Sequence, residues 1–244
     1  MFTSSLLLAA GVVLGLGWVV VQTPAKAAPR TIDEGLVLLF GSLVGSRIGF
    51  VWIHWPYYRL HLGETPQVWL GGLSAEGALA GAAASLLILT IVTRQPVGLL
   101  ADRHLPLGIV VATAGWVAGW WGGSGYGPLA EGQWWGLPVR DESGIYARRL
   151  PVQLIGAVVG LGIYWFLDKL RMPARRGARA VPGRAAAWWF LTLALQLLAL
   201  GFVRADPGLV WLGLRVDIWA AGGLCVAAVL CLIGVYWLWR ARRA

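Results

Sequence analysis

Seven apolar stretches divide this chain of 244 residues, each close to the length that crosses a lipid bilayer. A membrane-spanning helix needs about 20 mostly apolar residues. Only 13% of the residues are charged, too few to cover the surface of a soluble domain. The pattern predicts an all-α integral membrane protein, a seven-helix bundle that forms one polytopic domain over residues 1–244. The predicted spans are about 4–22, 35–54, 71–93, 105–121, 150–168, 186–203 and 216–239.

The lysines and arginines indicate the orientation. Most of them lie in the connections after the first, third and fifth spans and in the C-terminal tail. Cytoplasmic connections carry an excess of basic residues, so the N-terminus is predicted outside and the C-terminus in the cytoplasm. The connection 122–149 is then an extracytoplasmic loop or arm. The net charge of +9 follows from this distribution and does not indicate a nucleic-acid partner.

The first span has a second interpretation. PAKAA at 24–28 is typical of a signal-peptidase site that follows an apolar run. The segment MFTSS at 1–5 lacks the positive charge that usually opens a signal peptide, which favours a retained helix. Cleavage after residues 1–27 would leave six spans with the same orientation.

Two charges fall within predicted spans, Arg47 in the second and Glu76 in the third. A charge in a membrane helix is costly and usually faces a partner or a wet cavity. An ion pair between Arg47 and Glu76 is the favoured interpretation. Glu76 as a general base, or neither role, remain the alternatives.

Small residues recur every four positions along three predicted spans. Such spacing lets helix backbones approach closely in lipid and predicts helix packing. In the second and third spans it would also bring Arg47 and Glu76 to a shared cavity. The residues are Gly41, Gly45 and Gly49; Gly77, Gly81 and Ser85; and Gly156 and Gly160.

An ordered set of segments resembles one known family. The segments are GSRIGFV at 45–51, GGLSAEGALAG at 71–81, AGWVAGWWGGSGYG at 114–127, RRLPVQL at 148–154 and GFVRADP at 201–207. Their order and spacing resemble those of bacterial prolipoprotein diacylglyceryl transferase. The resemblance covers nearly the whole chain.

The resemblance implies a multi-pass protein of the bacterial cytoplasmic (inner) membrane. It implies transfer of a diacylglyceryl group from phosphatidylglycerol, or another anionic phospholipid, to the lipobox cysteine thiol of a preprolipoprotein. The thiol must lose a proton to attack, and fixed cations must stabilise the departing glycerol phosphate. Arginine suits the phosphate because its planar fork binds two oxygens at once.

The chain departs from the family pattern where the chemistry is expected. Glu76 stands where the family has histidine, and Trp116 replaces an arginine. Further replacements of polar family residues are Gly119, Gly122, Ser124, Leu150, Leu197 and Gly201.

The polar residues that remain are the candidate site. Glu76 and Arg47 are the catalytic candidates, while Arg204, Arg149 and Gln153 are the candidates for binding the lipid phosphate. Interfacial arginines that reach lipid headgroups are the alternative for Arg204 and Arg149. Asp102 is expected to cap a helix.

The sequence therefore predicts a prolipoprotein diacylglyceryl transferase-like membrane protein. The alternative is a catalytically degenerate relative that serves as a lipid-binding or structural subunit of a membrane complex. A transporter or channel is disfavoured because the spans carry few polar residues and show no interrupted helices. No cofactor is expected. No metal site is expected either, since His54, His61 and His104 do not form a ligand constellation.

Overall fold

The computed structural model describes residues 2–175 and 181–241. Some of the basic residues that support the predicted orientation lie outside the described residues: Arg176, Arg179, Arg242 and Arg243.

Helices dominate the described chain. The α-helices are α1 (Phe2–Val21), α2 (Ala28–Ile53), α3 (Trp55–Tyr58), α4 (Ala75–Thr93), α5 (Val97–Gly122), α6 (Val152–Arg175), α7 (Arg184–Val203) and α8 (Val216–Ala241). Single turns of 3₁₀-helix lie at Ala25–Ala27, Leu62–Glu64 and Val68–Leu70.

Two small antiparallel hairpins complete the structure. β1 (Leu137–Arg140) pairs with β2 (Tyr146–Arg149), with Leu137 opposite Arg149. β3 (Val210–Trp211) pairs with β4 (Leu214–Arg215). The long connection 122–149 is thus ordered around β1 and β2, as its length suggested.

Six helices in the described chain are long and apolar enough to cross a bilayer: α1, α2, α4, α5, α7 and α8. They coincide with six of the predicted spans and confirm a multi-pass helical membrane protein. The remaining predicted span, 150–168, forms the first part of α6. Its apolar stretch, Val152–Leu167, is shorter than those of the six. The count of seven spans and the orientation stay predictions.

The chain groups into two compact units, Val20–Ala101 and Met1–Val19 with Asp102–Ala244. The prediction of one polytopic domain is not tested by this grouping.

In the unit Val20–Ala101, α2 packs closely on α4 through the predicted small residues. A Cβ atom added at Gly45 would lie 2.5 Å from the carbonyl oxygen of Gly77, and one at Gly77 would lie 2.5 Å from that of Gly45. A Cβ atom at Gly41 would overlap the Ser85 hydroxyl. Side chains larger than glycine at these positions would therefore separate the two helices, and the packing prediction is confirmed.

In the other unit, α6 and α8 both pack on α7. Asp102 of α5 fixes the start of α7, because its carboxylate accepts hydrogen bonds from the backbone N–H groups of Gly183 (2.7 Å) and Ala186 (2.9 Å). The first N–H groups of a helix have no partner within the helix, so a carboxylate there stabilises it. The predicted capping role of Asp102 is confirmed, on a helix distant in sequence.

Candidate functional site

Arg47 lies near the end of α2, and its side chain points into the connection between α3 and α4. The residue is only 5% exposed. Its guanidinium donates four hydrogen bonds, all to backbone carbonyls. The acceptors are Glu64 (2.6 Å), Thr65 (2.7 Å), Gly71 (2.7 Å) and Gly72 (3.1 Å).

The backbone of two glycines lets their carbonyls reach this guanidinium. Gly71 and Gly72 have φ angles of 86° and 72°, a region that glycine adopts without steric cost. The rings of Phe50 and Tyr58 lie 5.9 and 5.2 Å from the Arg47 Cζ atom, within the range of cation–π contacts. Arg47 therefore holds the connection 64–72 in place.

The expected ion pair between Arg47 and Glu76 is wrong. Among the described residues, Arg47 forms hydrogen bonds with carbonyls, while the Glu76 carboxylate accepts one from the Ser74 hydroxyl at 2.9 Å. The predicted span beginning at residue 71 placed Glu76 inside the membrane helix, but α4 begins only at Ala75. Ser74 is the N-cap, accepting from the Gly77 N–H at 3.0 Å. At the start of a helix the dipole stabilises a carboxylate, so Glu76 does not need a cation.

In the unit that contains α5 to α8, the three predicted phosphate-binding residues lie around one loop, residues 123–127. Gln153 is fully buried at the start of α6 and donates to the Ser124 carbonyl at 2.9 Å. Arg204 follows α7, and its Nε atom lies 3.7 Å from where a Cβ atom on Gly125 would be. The same position is 4.0 Å from Gln153 Cγ. The structure thus brings Gln153 and Arg204 together at Gly125.

Arg149 reaches the same loop from β2. Its guanidinium lies over the Tyr126 ring, with Cζ 4.3 Å from the centroid, and it forms an ion pair with Asp141 at 3.5 Å. The buried Nε atom of Arg149 and the Oε1 atom of Gln153 have no hydrogen-bond partner among the described residues. A buried polar atom without a partner is costly, so both atoms are suited to meet a ligand.

Tyr126 is part of this arrangement. Its hydroxyl donates to the Glu142 carboxylate at 2.6 Å. Burial, followed by this hydrogen bond, raises the pKa of Tyr126 to about 12, because both disfavour the phenolate. Tyr126 therefore presents a neutral ring to the Arg149 guanidinium.

Arg204 belongs to a closed set of four charges, which we call the charge ring: Arg204, Asp206, Arg215 and Asp217. Arg204 contacts Asp206 at 2.6 Å and Asp217 at 3.4 Å. Arg215 contacts Asp217 at 2.8 Å and Asp206 at 3.4 Å. Each arginine thus touches both aspartates, and the formal charges of the ring cancel.

The charge ring lowers the pKa of Asp206. Burial raises the pKa of Asp206, but the hydrogen bond from Arg204 and the charges of Arg204 and Arg215 outweigh burial, and the pKa is lowered overall. Asp206 receives Nε and Nη2 of Arg204 on its two oxygens, at 2.9 and 2.6 Å. This is the two-oxygen geometry that a phosphate would use.

Three members of the charge ring were not among the predicted site residues: Asp206, Arg215 and Asp217. A signal was present, because Arg-x-Asp occurs twice, at 204–206 and 215–217, on either side of the short connection between two apolar helices. In each case the aspartate pairs with the arginine two residues before it. That repeat predicts a compensated charge cluster and not a free phosphate-binding arginine.

Comparison with known proteins gives a consistent family similarity. The model of the prolipoprotein diacylglyceryl transferase family matches residues 3–238. A phosphatidylglycerol–prolipoprotein diacylglyceryl transferase of Acidiphilium cryptum (strain JF-5) is 26% identical over 251 residues, covering 94% of this chain and 84% of the relative. One of Brucella ovis is 26% identical over 223 residues, covering 89% and 76%. One of Staphylococcus epidermidis is 34% identical over 80 residues, covering 31% and 28%.

Proposed function

Because this chain belongs to the prolipoprotein diacylglyceryl transferase family, we propose that it transfers the diacylglyceryl group of phosphatidylglycerol to the lipobox cysteine thiol of a prolipoprotein. In this reaction a carbon–sulfur bond forms to the diacylglyceryl group and its bond to the phosphate oxygen breaks. Glycerol phosphate leaves, and a base takes the thiol proton. The observation that carries the proposal is the family match over nearly the whole chain.

Arg149 is the residue best suited to the departing phosphate. Its Nε–H is buried and has no acceptor among the described residues, so a phosphate oxygen there would complete its hydrogen bonding. Asp141, at 3.5 Å, is too far for a hydrogen bond of ordinary length, which leaves the guanidinium available for a stronger partner.

Gln153 and Arg204 support the same loop in this proposal. Gln153 fixes the Ser124 carbonyl and offers its Oε1 atom as an acceptor, which suits a hydroxyl of the glycerol headgroup. Asp206 occupies the fork of Arg204, so Arg204 acts by positioning the loop and its bound lipid. Catalytic roles for Glu76 and Arg47 stay predictions. Glu76 would serve as the base, and Arg47 would hold the connection that precedes it.

We further propose the topology that the sequence favours. α6 completes a bundle of seven spans, with the N-terminus outside and the C-terminus in the cytoplasm, in the bacterial inner membrane. A helix of 24 residues is about 36 Å long, which is enough to cross a bilayer. The alternative of an inert lipid-binding or structural subunit is not better supported by the comparisons.

Complementation tests the proposed activity. The chain is produced in a bacterium depleted of its own prolipoprotein diacylglyceryl transferase. The mass of a reporter prolipoprotein is then measured by mass spectrometry. We expect the reporter to gain the mass of one diacylglyceryl group. Arg149→Ala should lower the rate by two to three orders of magnitude, roughly the effect of removing one charge-stabilising group.

Arg140→Ala is the matched control, because Arg140 is an exposed arginine on the neighbouring strand β1. It should leave the rate unchanged. If the folded and inserted protein adds no diacylglyceryl mass, the transferase proposal fails and the subunit alternative is favoured. If Arg140→Ala and Arg149→Ala have the same transfer rate, the proposed role of Arg149 in binding the departing phosphate is wrong.

A further inference from the structure

A groove between α6 and α7 carries a buried acceptor that no described residue satisfies. The groove has a volume of about 330 Å³ and is lined by Val159 and Ile163 of α6 and by Leu195, Gln196 and Ala199 of α7, among others. Gln196 is 7% exposed. Its side-chain amide donates to the Gly156 carbonyl, while its Oε1 atom has no hydrogen-bond partner among the described residues.

A second, smaller cavity meets the groove at Gln196. It holds about 10 Å³, close to the lower limit for one water molecule. α5 contributes Thr113 and Trp116 to its lining, and Ile163, Thr192 and Gln196 line both spaces. Trp116 packs so closely on α6 that a Cβ atom on Gly156 would lie 2.5 Å from its indole.

The two threonine hydroxyls that line the small cavity with Gln196 do not supply the missing donor. The Thr113 hydroxyl donates to the Ile109 carbonyl at 2.9 Å. The Thr192 hydroxyl donates to the carbonyls of its own helix, at 3.0 Å. Both hydrogens are therefore used within α5 and α7, and Gln196 Oε1 is available to a donor on a bound molecule.

The chemistry of the groove selects the kind of molecule. The residues that line it are uncharged, and most are aliphatic. A phosphate would place a negative charge in a groove whose described lining contains no cationic residue. Its oxygens are acceptors and would face another acceptor, Gln196 Oε1. The apolar chains of an uncharged lipid suit the aliphatic lining of the groove, and a hydroxyl on the same lipid would donate to Gln196 Oε1. Seven residues separate Gln196 from the end of α7, a depth of about 10 Å.

We propose that the groove between α6 and α7 binds a diacylglycerol, whose free hydroxyl donates a hydrogen bond to Gln196 Oε1. One acyl chain lies along Val159, Leu195 and Ala199. This site is separate from the loop 123–127 and takes a lipid without a phosphate. It does not depend on the proposed transfer reaction.

The test measures lipid binding to the full chain in detergent by native mass spectrometry. The two ligands are 1,2-diacylglycerol and its 3-O-methyl ether, which has the same chains and no hydroxyl hydrogen. We expect the diacylglycerol to bind about fivefold more tightly than the ether, the effect of one hydrogen bond. Gln196→Leu should abolish this preference by weakening diacylglycerol binding, while ether binding stays unchanged.

A pair of size-matched variants locates the site. Ala199→Trp fills the groove and should weaken both ligands at least tenfold. Val226→Trp places the same ring on the exposed face of α8, away from the groove, and should change neither. Because unchanged ether binding shows that Gln196→Leu is folded, the hydroxyl preference reports on the hydrogen bond. If Gln196→Leu loses ether binding, the comparison of Ala199→Trp with Val226→Trp decides whether the lipid binds in the groove.

Three results would overturn the proposal. The first is equal affinity of the unaltered protein for diacylglycerol and the ether, which would leave water as the donor to Gln196. The second is an unchanged affinity in Ala199→Trp. The third is displacement of diacylglycerol by an equal concentration of phosphatidylglycerol, which would assign the groove to a charged lipid. No prolipoprotein is present, so these results are independent of whether the chain transfers diacylglyceryl groups.

Discussion

Replacing Arg47 with methionine should destabilise the connection 64–72 by about 4 kcal/mol. A hydrogen bond to a charged group contributes about 1.5–3 kcal/mol, so four amount to roughly 6–12 kcal/mol. The four bonds share one guanidinium, so their contributions are not additive, and we expect a net effect of about 3–5 kcal/mol. Methionine keeps the length and apolar contacts of the stem but leaves four carbonyls without their donor.

Hydrogen exchange of the amides in residues 64–72 is the most direct assay. Where the opening equilibrium governs exchange, a loss of about 4 kcal/mol should accelerate exchange there by roughly 1,000-fold. Arg59→Met is the matched control, because Arg59 is an exposed arginine between α3 and the connection 64–72. It should leave the exchange rates unchanged. An effect of Arg47→Met below about 1 kcal/mol would refute the role of Arg47 in holding this connection, since even one lost charge-assisted hydrogen bond exceeds it.

The same variant distinguishes the hydrogen bonds of Arg47 to carbonyls from the ion pair with Glu76 that the sequence suggested. Without direct coupling, the effects of Arg47→Met and Glu76→Gln should add to within about 0.5 kcal/mol in the double variant. If the two residues formed a buried pair, removing both would cost much less than the sum of the single losses. A coupling energy above about 1 kcal/mol would therefore restore the ion pair.

Three further predictions follow from the packing and the titrating groups. Gly45→Leu should destabilise the protein by about 3 kcal/mol by separating α2 from α4, whereas Gly222→Leu, where an added Cβ meets no atom within 4 Å, should have little effect in the same denaturation assay. Asp206 has a lowered pKa in the folded state, so its contribution to stability is present above the unfolded-state pKa and is lost as the pH falls through the folded-state pKa. Asp206→Asn should remove this part of the acid dependence of the melting temperature, and an unchanged acid dependence would contradict it. In an absorbance titration, the tyrosine that ionises at about pH 12 should disappear in Tyr126→Phe and shift downward in Glu142→Gln.

Composition and residue spacing were sufficient to predict the helical framework. The lengths of the apolar stretches predicted six membrane-capable helices correctly. A segment that crosses a bilayer must satisfy its backbone hydrogen bonds internally, and a helix does so along its whole length. The contact between α2 and α4 was also predictable, since glycine spacing at Gly41, Gly45 and Gly49 has a direct geometric consequence. The sequence pattern thus predicted the features that depend only on helix length and on the spacing of small residues.

The polar contacts were less predictable, because they depend on where backbone groups point. The sequence shows that Arg47 is charged and enclosed, and an acidic partner is the usual expectation. Its actual partners are carbonyls whose directions are set by the φ angles of Gly71 and Gly72. For the candidate site, the residue types around the loop 123–127 were predicted in part. Their hydrogen-bond partners, including Asp206 on Arg204, required the structure.

The charge ring has a consequence for the biogenesis of the protein. All four of its members come from the end of α7, the start of α8 and the short connection between them, and these two helices pack on each other. Four ionised side chains would oppose passage of this connection through the lipid during insertion. Within the folded hairpin the two arginines and the two aspartates neutralise one another. The hairpin of α7 and α8 therefore contains both the charges that would oppose entry into lipid and the opposite charges that compensate them in the folded protein.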